Sequence, residues 1–393
     1  MKKFAANIIP KIRLHSMKRI LHLCIVLSIF FLSPFSIISQ NAGKIKTIVI
    51  DAGHGGKDPG AMGKKSKEKD IALAVALKTG HYIEQNLKGV KVVYTRKTDK
   101  FVELHRRGQI ANEANADLFI SIHCNSNNSH SPYGSETYAL GVEEKRTKRN
   151  MEVAMTENAA IMLEENQQDI YAGFNPNSEE SLISLTLFQS EHLMQSLDLA
   201  SRIQKQFKDR VGRKDRGVHQ AGFLVLWRTA MPSVLVELGY ISNTTEEAFL
   251  LSEKGQSYMA SAIYRAVKEY KRDYESESGA YDYRQENEEN QEDINSEQKS
   301  STSNSSVIYR VQFYVTPSKI KKDDKRFNSL NDVYMYEHNG MYKFTSGKFN
   351  SLDEAENHKK TVRSKGFKDA FTVAFLDDER ISISKAKQIL NEK

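Results

Sequence analysis

Ile48-Val49-Ile50-Asp51-Ala52-Gly53-His54-Gly55-Gly56-Lys57-Asp58-Pro59-Gly60 is the stretch on which the reading of this chain turns. A short β-branched run reads as a buried strand, and it stops in glycines that frame one acid and one histidine. Glycine at a strand end lets the backbone turn sharply and lets a ligand come close. Open α/β sheets keep their sites in the crevice beyond the carboxyl ends of the strands. His54 therefore reads as a metal or catalytic histidine, and its partners are to be sought at other strand ends.

Working outward, residues 44–273 alternate strand-like and helix-like segments, the pattern of a mostly parallel sheet flanked by helices, an α/β fold. Strands are expected at Thr47–Asp51, Val90–Tyr94, Leu118–His123, Ser135–Leu140, Gly222–Leu226 and Ser233–Glu237. Helices are expected around 69–87, 103–115, 148–166, 189–209 and 257–272. Right-handed crossovers put the first three strands side by side. The stretch between the fourth and fifth strands, roughly 143–190 and broken at Gly173-Phe174-Asn175-Pro176-Asn177, is too long for a crossover and reads as an insertion.

From 274 to 306 the chain turns to Glu, Asn, Gln and Ser with almost no aliphatic residues. Such a segment cannot offset its ordering entropy by apolar burial and is expected to be a disordered acidic linker. Residues 307–376 follow as a small α+β unit of βαββαβ order: strand 307–315, helix about 323–330, strands 333–337 and 341–346, helix 352–365, strand 370–375. Asn339-Gly340 between alternating apolar residues marks a hairpin turn. Residues 377–393 read as an appended helix or tail.

Residues 1–40 carry six cations, no acid and an apolar run from Leu21 to Ile38, the layout of a secretory signal peptide. Met17 begins a tidier version of it than Met1. The run is short and interrupted for a permanent membrane helix, which needs about 20 residues. The whole chain is +7, so residues 41–393 are +1, and the basic balance is no argument for nucleic acid. Within that part residues 274–306 are −7 and 307–393 are +5. Beyond the leader Cys124 is the one remaining cysteine, so no intramolecular disulfide is available.

Three further groups end strands or begin helices as His54 does. Glu68 precedes an amphipathic helix in Lys67-Glu68-Lys69-Asp70-Ile71-Ala72-Leu73, His123 ends Leu118–His123, and Glu237 ends Val234-Leu235-Val236-Glu237. Each alone reads as readily as a cap or loop contact. Together, two histidines and a carboxylate make a catalytic zinc set with one coordination position open, and a second carboxylate supplies a base. Asp51 can orient His54 or cap the glycine turn.

The order Asp-x-Gly-His-Gly-Gly-x-Asp-Pro-Gly, Glu-Lys-Asp-Ile-Ala-Leu-Ala, Ser-Ile-His-Cys-Asn-Ser and Pro-Ser-Val-Leu-Val-Glu-Leu-Gly-Tyr-Ile-Ser-Asn, over about 46–271, resembles the zinc-dependent N-acetylmuramoyl-L-alanine amidases. Thr95-Arg96, Arg106 and Arg107 with Ala111-Asn112, and Arg216-Gly217-Val218 also fall where that family has similar residues. The resemblance implies one zinc ion held by His54, Glu68 and His123, and Glu237 as the catalytic glutamate. It implies hydrolysis of the lactyl–L-alanine amide of peptidoglycan, in wall remodelling and daughter-cell separation. Arg96 is a candidate for a substrate carboxylate, against a structural ion pair, and His219 for substrate contact. Some such amidases carry, at the place of the insertion, a helix that covers the zinc until an activator protein moves it. Met155–Glu165 resembles that helix, with Glu157, before Glu164 or Glu165, in the open zinc position; the alternative is a solvated acidic helix.

Tyr309-Arg310-Val311-Gln312-Phe313, Tyr342-Lys343-Phe344, Gly347-Lys348-Phe349 and Lys365–Phe371 resemble the SPOR domain, although Tyr314 and Val315 replace the polar residue usual after its first strand. That implies binding of glycan strands stripped of stem peptides. The combined expectation is an exported, monomeric enzyme of the periplasm or cell envelope. A zinc peptidase acting on stem peptides and a non-catalytic wall-binding scaffold are the alternatives.

Overall fold

The computed structural model describes residues 43–277 and 307–391, apart from 142–147, 166, 172–173, 176–177, 179–180, 182–191, 317–318, 339–340 and 382. The expected leader and the Asn339-Gly340 turn lie outside the described residues, as do the linker beyond 277 and much of the insertion. The first sheet uses β1 (Thr47–Ala52), β2 (Lys91–Tyr94), β3 (Leu118–Asn125), β4 (Ser135–Leu140), β5 (Asp215–Ala221) and β6 (Ser233–Tyr240), in the order β2-β1-β3-β6-β4-β5. Its pairs are parallel except β4 with β6. As expected, the first three strands are neighbours. β3 and β6 are buried along their whole length, as strands covered on both faces by helices must be.

One face carries α1 (Glu68–Asn86), α4 (Leu193–Val211) and α6 (Glu253–Glu277) over a core of Ile48, Ile50, Ile120, Ile122, Val234 and Val236. The other face carries α2 (Leu104–Glu113) and α3 (Lys148–Asn158) over Val49, Phe119, Leu235 and Phe223. The alternation along β1, Ile48 and Ile50 to one side and Val49 to the other, divides the two cores. Helix ends follow local chemistry: α4 stops at Gly212 in the left-handed region (φ 71°), and α5 (Thr244–Leu251) starts at Asn243, whose side chain accepts from the Thr245 and Glu246 amides.

Three expectations are corrected. The fifth strand is Asp215–Ala221, while the expected strand Gly222–Leu226 runs into a helical turn, Leu224–Trp227. β5 is an edge strand, half exposed, so its sequence is too polar to read as β. The helix expected to reach 166 stops at Asn158, whose Nδ2 donates to the Gly222 carbonyl and whose Oδ1 accepts from the Leu224 amide; the chain then tightens into a 3₁₀ turn, Ala159–Leu163. The last helix of the first domain runs on to Glu277, into the stretch expected as linker.

The second sheet is antiparallel throughout, β11-β10-β7-β9-β8, from β7 (Val307–Thr316), β8 (Val333–His338), β9 (Met341–Phe349), β10 (Phe371–Leu376) and β11 (Glu379–Ile381). The expected first helix of the βαββαβ order is only a 3₁₀ turn, Lys325–Phe327. Residues 321–326 are all charged, so Phe327 enters the core without an apolar stripe to support a longer helix. α7 (Leu352–Ser364) forms as expected, and the tail supplies β11 and α8 (Ile383–Asn391).

Candidate metal centre

His54 sits in the left-handed region (φ 59°) one residue after Gly53. A Cβ on Gly53 would meet the His123 ring at 2.4 Å, and one on Gly60 (φ +66°) would meet Glu68 Oε2 and His54 Cδ2 at 2.6 Å. Gly53 and Gly60 are there because site side chains occupy the space their own would need, while a Cβ on Gly55 or Gly56 would meet the backbone of Lys100 and Phe101. Two buried arginines hold the turn from behind. Arg96 donates to the carbonyls of Ala52, Gly53, Lys69 and Thr98, and Arg107 to those of Ala52, His54 and Val102 and to Asp51.

Four donor atoms converge in front of it. His54 Nε2 lies 3.0 Å from Glu68 Oε1 and 3.1 Å from Glu157 Oε2. His123 Nδ1 lies 3.0 Å from Glu68 Oε1 and 2.8 Å from Glu157 Oε2. All four atoms fall within 4.8 Å of one another, and all four residues are buried. A tetrahedral shell with bonds of about 2.0–2.1 Å sets its donors about 3.3 Å apart, and these four pairs lie about 0.2–0.5 Å inside that. His54 Nε2, Glu157 Oε2 and both Glu237 oxygens are buried with no hydrogen-bond partner among the described residues. A buried cluster of two imidazoles and two carboxylates is costly unless a cation satisfies it, so the donor set of His54, Glu68, His123 and Glu157 could hold one metal ion.

The supports are equally specific. The second nitrogen of His54, Nδ1, is 2.8 Å from Asp58 Oδ2. His123 Nε2 is 3.1 Å from Ser121 Oγ, which donates to Asp51 Oδ2. Glu68 accepts from the Cys124 amide on Oε1 and from the Ala61 amide on Oε2. Burial opposes protonation of His54, but the Glu68, Asp58 and Glu157 carboxylates outweigh it and hold its pKa well above the usual imidazole value. Burial likewise opposes protonation of His123, and Glu157 and Glu68 raise it to about 9. Register brings Glu237 of β6 directly beside His123 of β3. Burial, then the Glu157 and Glu68 charges, push the Glu237 carboxyl well above the carboxylate range.

The profile of the family described as N-acetylmuramoyl-L-alanine amidase, Amidase_3, matches residues 48–269. The chain belongs to that family. It is 35% identical over 238 residues to the N-acetylmuramoyl-L-alanine amidase AmiC of Escherichia coli O6:H1, covering 58% of this chain and 54% of that protein. Over 236 residues it is 33% identical to AmiA of Escherichia coli K12, covering 59% and 78%. The chain thus spans about half of the length of AmiC. Among solved structures, the catalytic domain of CwlV from Bacillus (Paenibacillus) polymyxa is 33% identical and covers 57% of this chain and 98% of that one, with a TM-score of 0.41.

Against this amidase frame the site residues sort as follows. His54, Glu68, His123, Glu237 and Glu157 come together. Arg96 is corrected: its guanidinium is buried and taken up by four carbonyls, so it clamps the turn and is closed to substrate. Asp51 is corrected too, serving Thr95, Ser121 and Arg107, with Asp58 beside His54 instead. Glu164 is not at the metal centre; it accepts from the Leu104 amide and the Tyr171 hydroxyl, tying the insertion to the start of α2. Glu165 is exposed. His219 lies in the half-exposed edge strand, its Nε2 2.9 Å from the Arg216 carbonyl oxygen. Asp58 and Glu136 were missed. Asp58 was in view within the opening motif, where a carboxylate four residues after a turn histidine is within reach of it; Glu136, in mid-strand, carried no signal.

Proposed function

We propose that this family member is a zinc-dependent amidase that hydrolyses the amide between the lactyl group of N-acetylmuramic acid and L-alanine in peptidoglycan, exported to the periplasm or envelope. The observation that carries it is the convergence of His54 Nε2, Glu68 Oε1 and His123 Nδ1 on one point, from a turn, a helix start and a strand, with Glu237 beside them. When bound, the zinc ion would act as a Lewis acid on the carbonyl and lower the pKa of a water. Glu237 would serve as the base that accepts a proton from the attacking water and returns it to the leaving amine. Its buried, unpartnered oxygens suit a base that gives and receives a proton in one turnover. Asp58 and Ser121 fix the two rings so that the ligating nitrogens face inward.

Glu157 closes the remaining position in the resting enzyme, and hydrolysis waits for α3 to move, in the cell under an activator protein. In support, its carboxylate completes the donor cluster while α3 seats Val153 and Ala154 in the core. The C-terminal unit is a SPOR-like module that holds the monomeric enzyme on glycan strands stripped of stem peptides. Tyr334, Tyr336 and Phe375 pack together, Arg310 stands 4.8 Å over Tyr334, and the unit's charge of +5 favours an anionic sugar polymer. Daughter-cell separation is the process such tethered cutting suits.

The test is mass spectrometry of soluble products from purified sacculi, with metal content measured on the same protein. Free stem peptides beginning at L-alanine, one zinc per chain, and loss of both product and metal on chelation are expected. Fragments cut within stem peptides would establish a peptidase instead. No product from wild type and from Glu157→Ala alike would make the protein a wall-binding scaffold.

A further inference from the structure

Glu136 is a fully buried carboxylate that the reaction as drawn does not use. Register places it in line with the site, since His123 of β3 pairs with Glu237 of β6, and Glu237 pairs with Glu136 of β4. Directly opposed residues project from the same face. Its Oε1 accepts from Asn125 Nδ2 at 2.6 Å and from the Tyr240 hydroxyl at 2.8 Å. Its Oε2 takes the guanidinium of Arg149, in the first turn of α3. A second guanidinium is held back: Arg216 Nε is buried without a hydrogen-bond partner among the described residues, 3.7 Å from the same oxygen, and the group lies over the Tyr240 ring.

Arg149 and Glu157 are eight residues apart on one helix, about 12 Å along its axis. We propose that Glu136 is the second anchor of the blocking helix: Arg149 binds it while Glu157 closes the metal centre, and when α3 leaves, Glu136 is handed to Arg216. A buried carboxylate that lost its only cation would carry a large penalty and would hold the helix permanently shut. The waiting Arg216 removes most of that penalty, so the anchor is reversible. This inference rests on the reading of α3 as a blocking helix and adds the contact that sets how tightly it closes.

The test uses the purified full chain with zinc bound and two readouts, hydrogen exchange at amides 149–158 and the initial rate of stem-peptide release from sacculi. Arg149→Ala is expected to raise both about tenfold, the equivalent of ~1.4 kcal/mol. Arg149→Lys, which keeps a cation in reach, should stay within about twofold of wild type. Glu136→Gln should match Arg149→Ala, and the double variant should add little to either, the non-additivity of a contacting pair. Arg216→Ala should lower the melting temperature more in the Arg149→Ala background than in wild type; equal losses overturn the hand-over. If Glu157→Ala raises exchange and rate while Arg149→Ala changes neither, the anchor is wrong and the blocking helix stands. If both variants are silent, the blocking helix itself falls and the anchor with it.

Discussion

Gly53→Ala puts the geometry of the turn to its most direct test. A methyl at this position would sit 2.4 Å from His123 Cε1, 2.6 Å from Nε2 and 2.7 Å from Nδ1. Non-bonded carbon atoms rest about 3.5–4.0 Å apart, so the ring must retreat by about 1 Å or more. It has little room, because Ser121 and Glu68 hold its two nitrogens and the strand behind it is fully buried. Overpacking of this kind costs about 1–3 kcal/mol of stability. The larger effect falls on the metal, whose ligand distances tolerate about 0.2 Å. A zinc affinity reduced by about 100-fold is expected, the upper end of what disturbing a ligand's support does. Competition with a chromophoric chelator measures it, and thermal unfolding of the metal-free protein separates folding from binding. Gly108→Ala is the control: its Cβ meets nothing closer than 3.6 Å within α2, and it should leave affinity unchanged while adding about 0.5–1 kcal/mol of helix stability. Zinc affinity at the wild-type value in Gly53→Ala would refute the claim that the glycine exists to admit the His123 ring.

Asp58→Ala removes the acceptor beside His54 Nδ1 and should weaken zinc about 10–100-fold, read by the same competition, with the fold intact by circular dichroism. Glu237→Gln keeps shape and metal but cannot take a proton; stem-peptide release should fall about 10²–10⁴-fold at unchanged zinc content. His338 in the C-terminal unit is held at about 4, against 6.5 unperturbed, by burial first and then by Lys343. Between these values the unfolded chain binds a proton that the folded one does not, so stability is full above about 6.5 and declines as pH falls toward 4. His338→Gln should flatten that slope in thermal unfolding followed by pH; an unchanged slope would assign it to other groups.

The patterns legible in the sequence were those set by short-range rules. Ile48–Ile50 is apolar without interruption and Leu118–Ile122 is broken only by Ser121, a pattern of strands covered on both faces, and the parallel three-strand core follows from that. Where burial is one-sided or partial the signal faded. The edge strand Asp215–Ala221 is partly open to water and too polar to read as β, and the helix expected about 323–330 shortens to a 3₁₀ turn because the charged residues before Phe327 have too little to bury.

The same division holds for the site. Composition at the strand ends and a motif order were enough to single out His54, Glu68, His123 and Glu237, because a turn that admits a ligand must be spelled in glycine. Which carboxylate serves which ring is a matter of distance across the fold. Asp51 is three residues from His54 in sequence, yet it serves Ser121 on the neighbouring strand, while Asp58 reaches back to His54. In sequence Arg96 is a candidate for a substrate carboxylate or a structural ion pair, and only the packed turn shows its donors taken up by carbonyls. The meeting of Glu157 with His54 and His123 and of Arg149 with Glu136 joins an insertion to strands far from it in sequence. Local sequence sets which groups can bind a metal or a proton; only the packed sheet decides which of them meet, since contacts across strands and helices are fixed by register and burial.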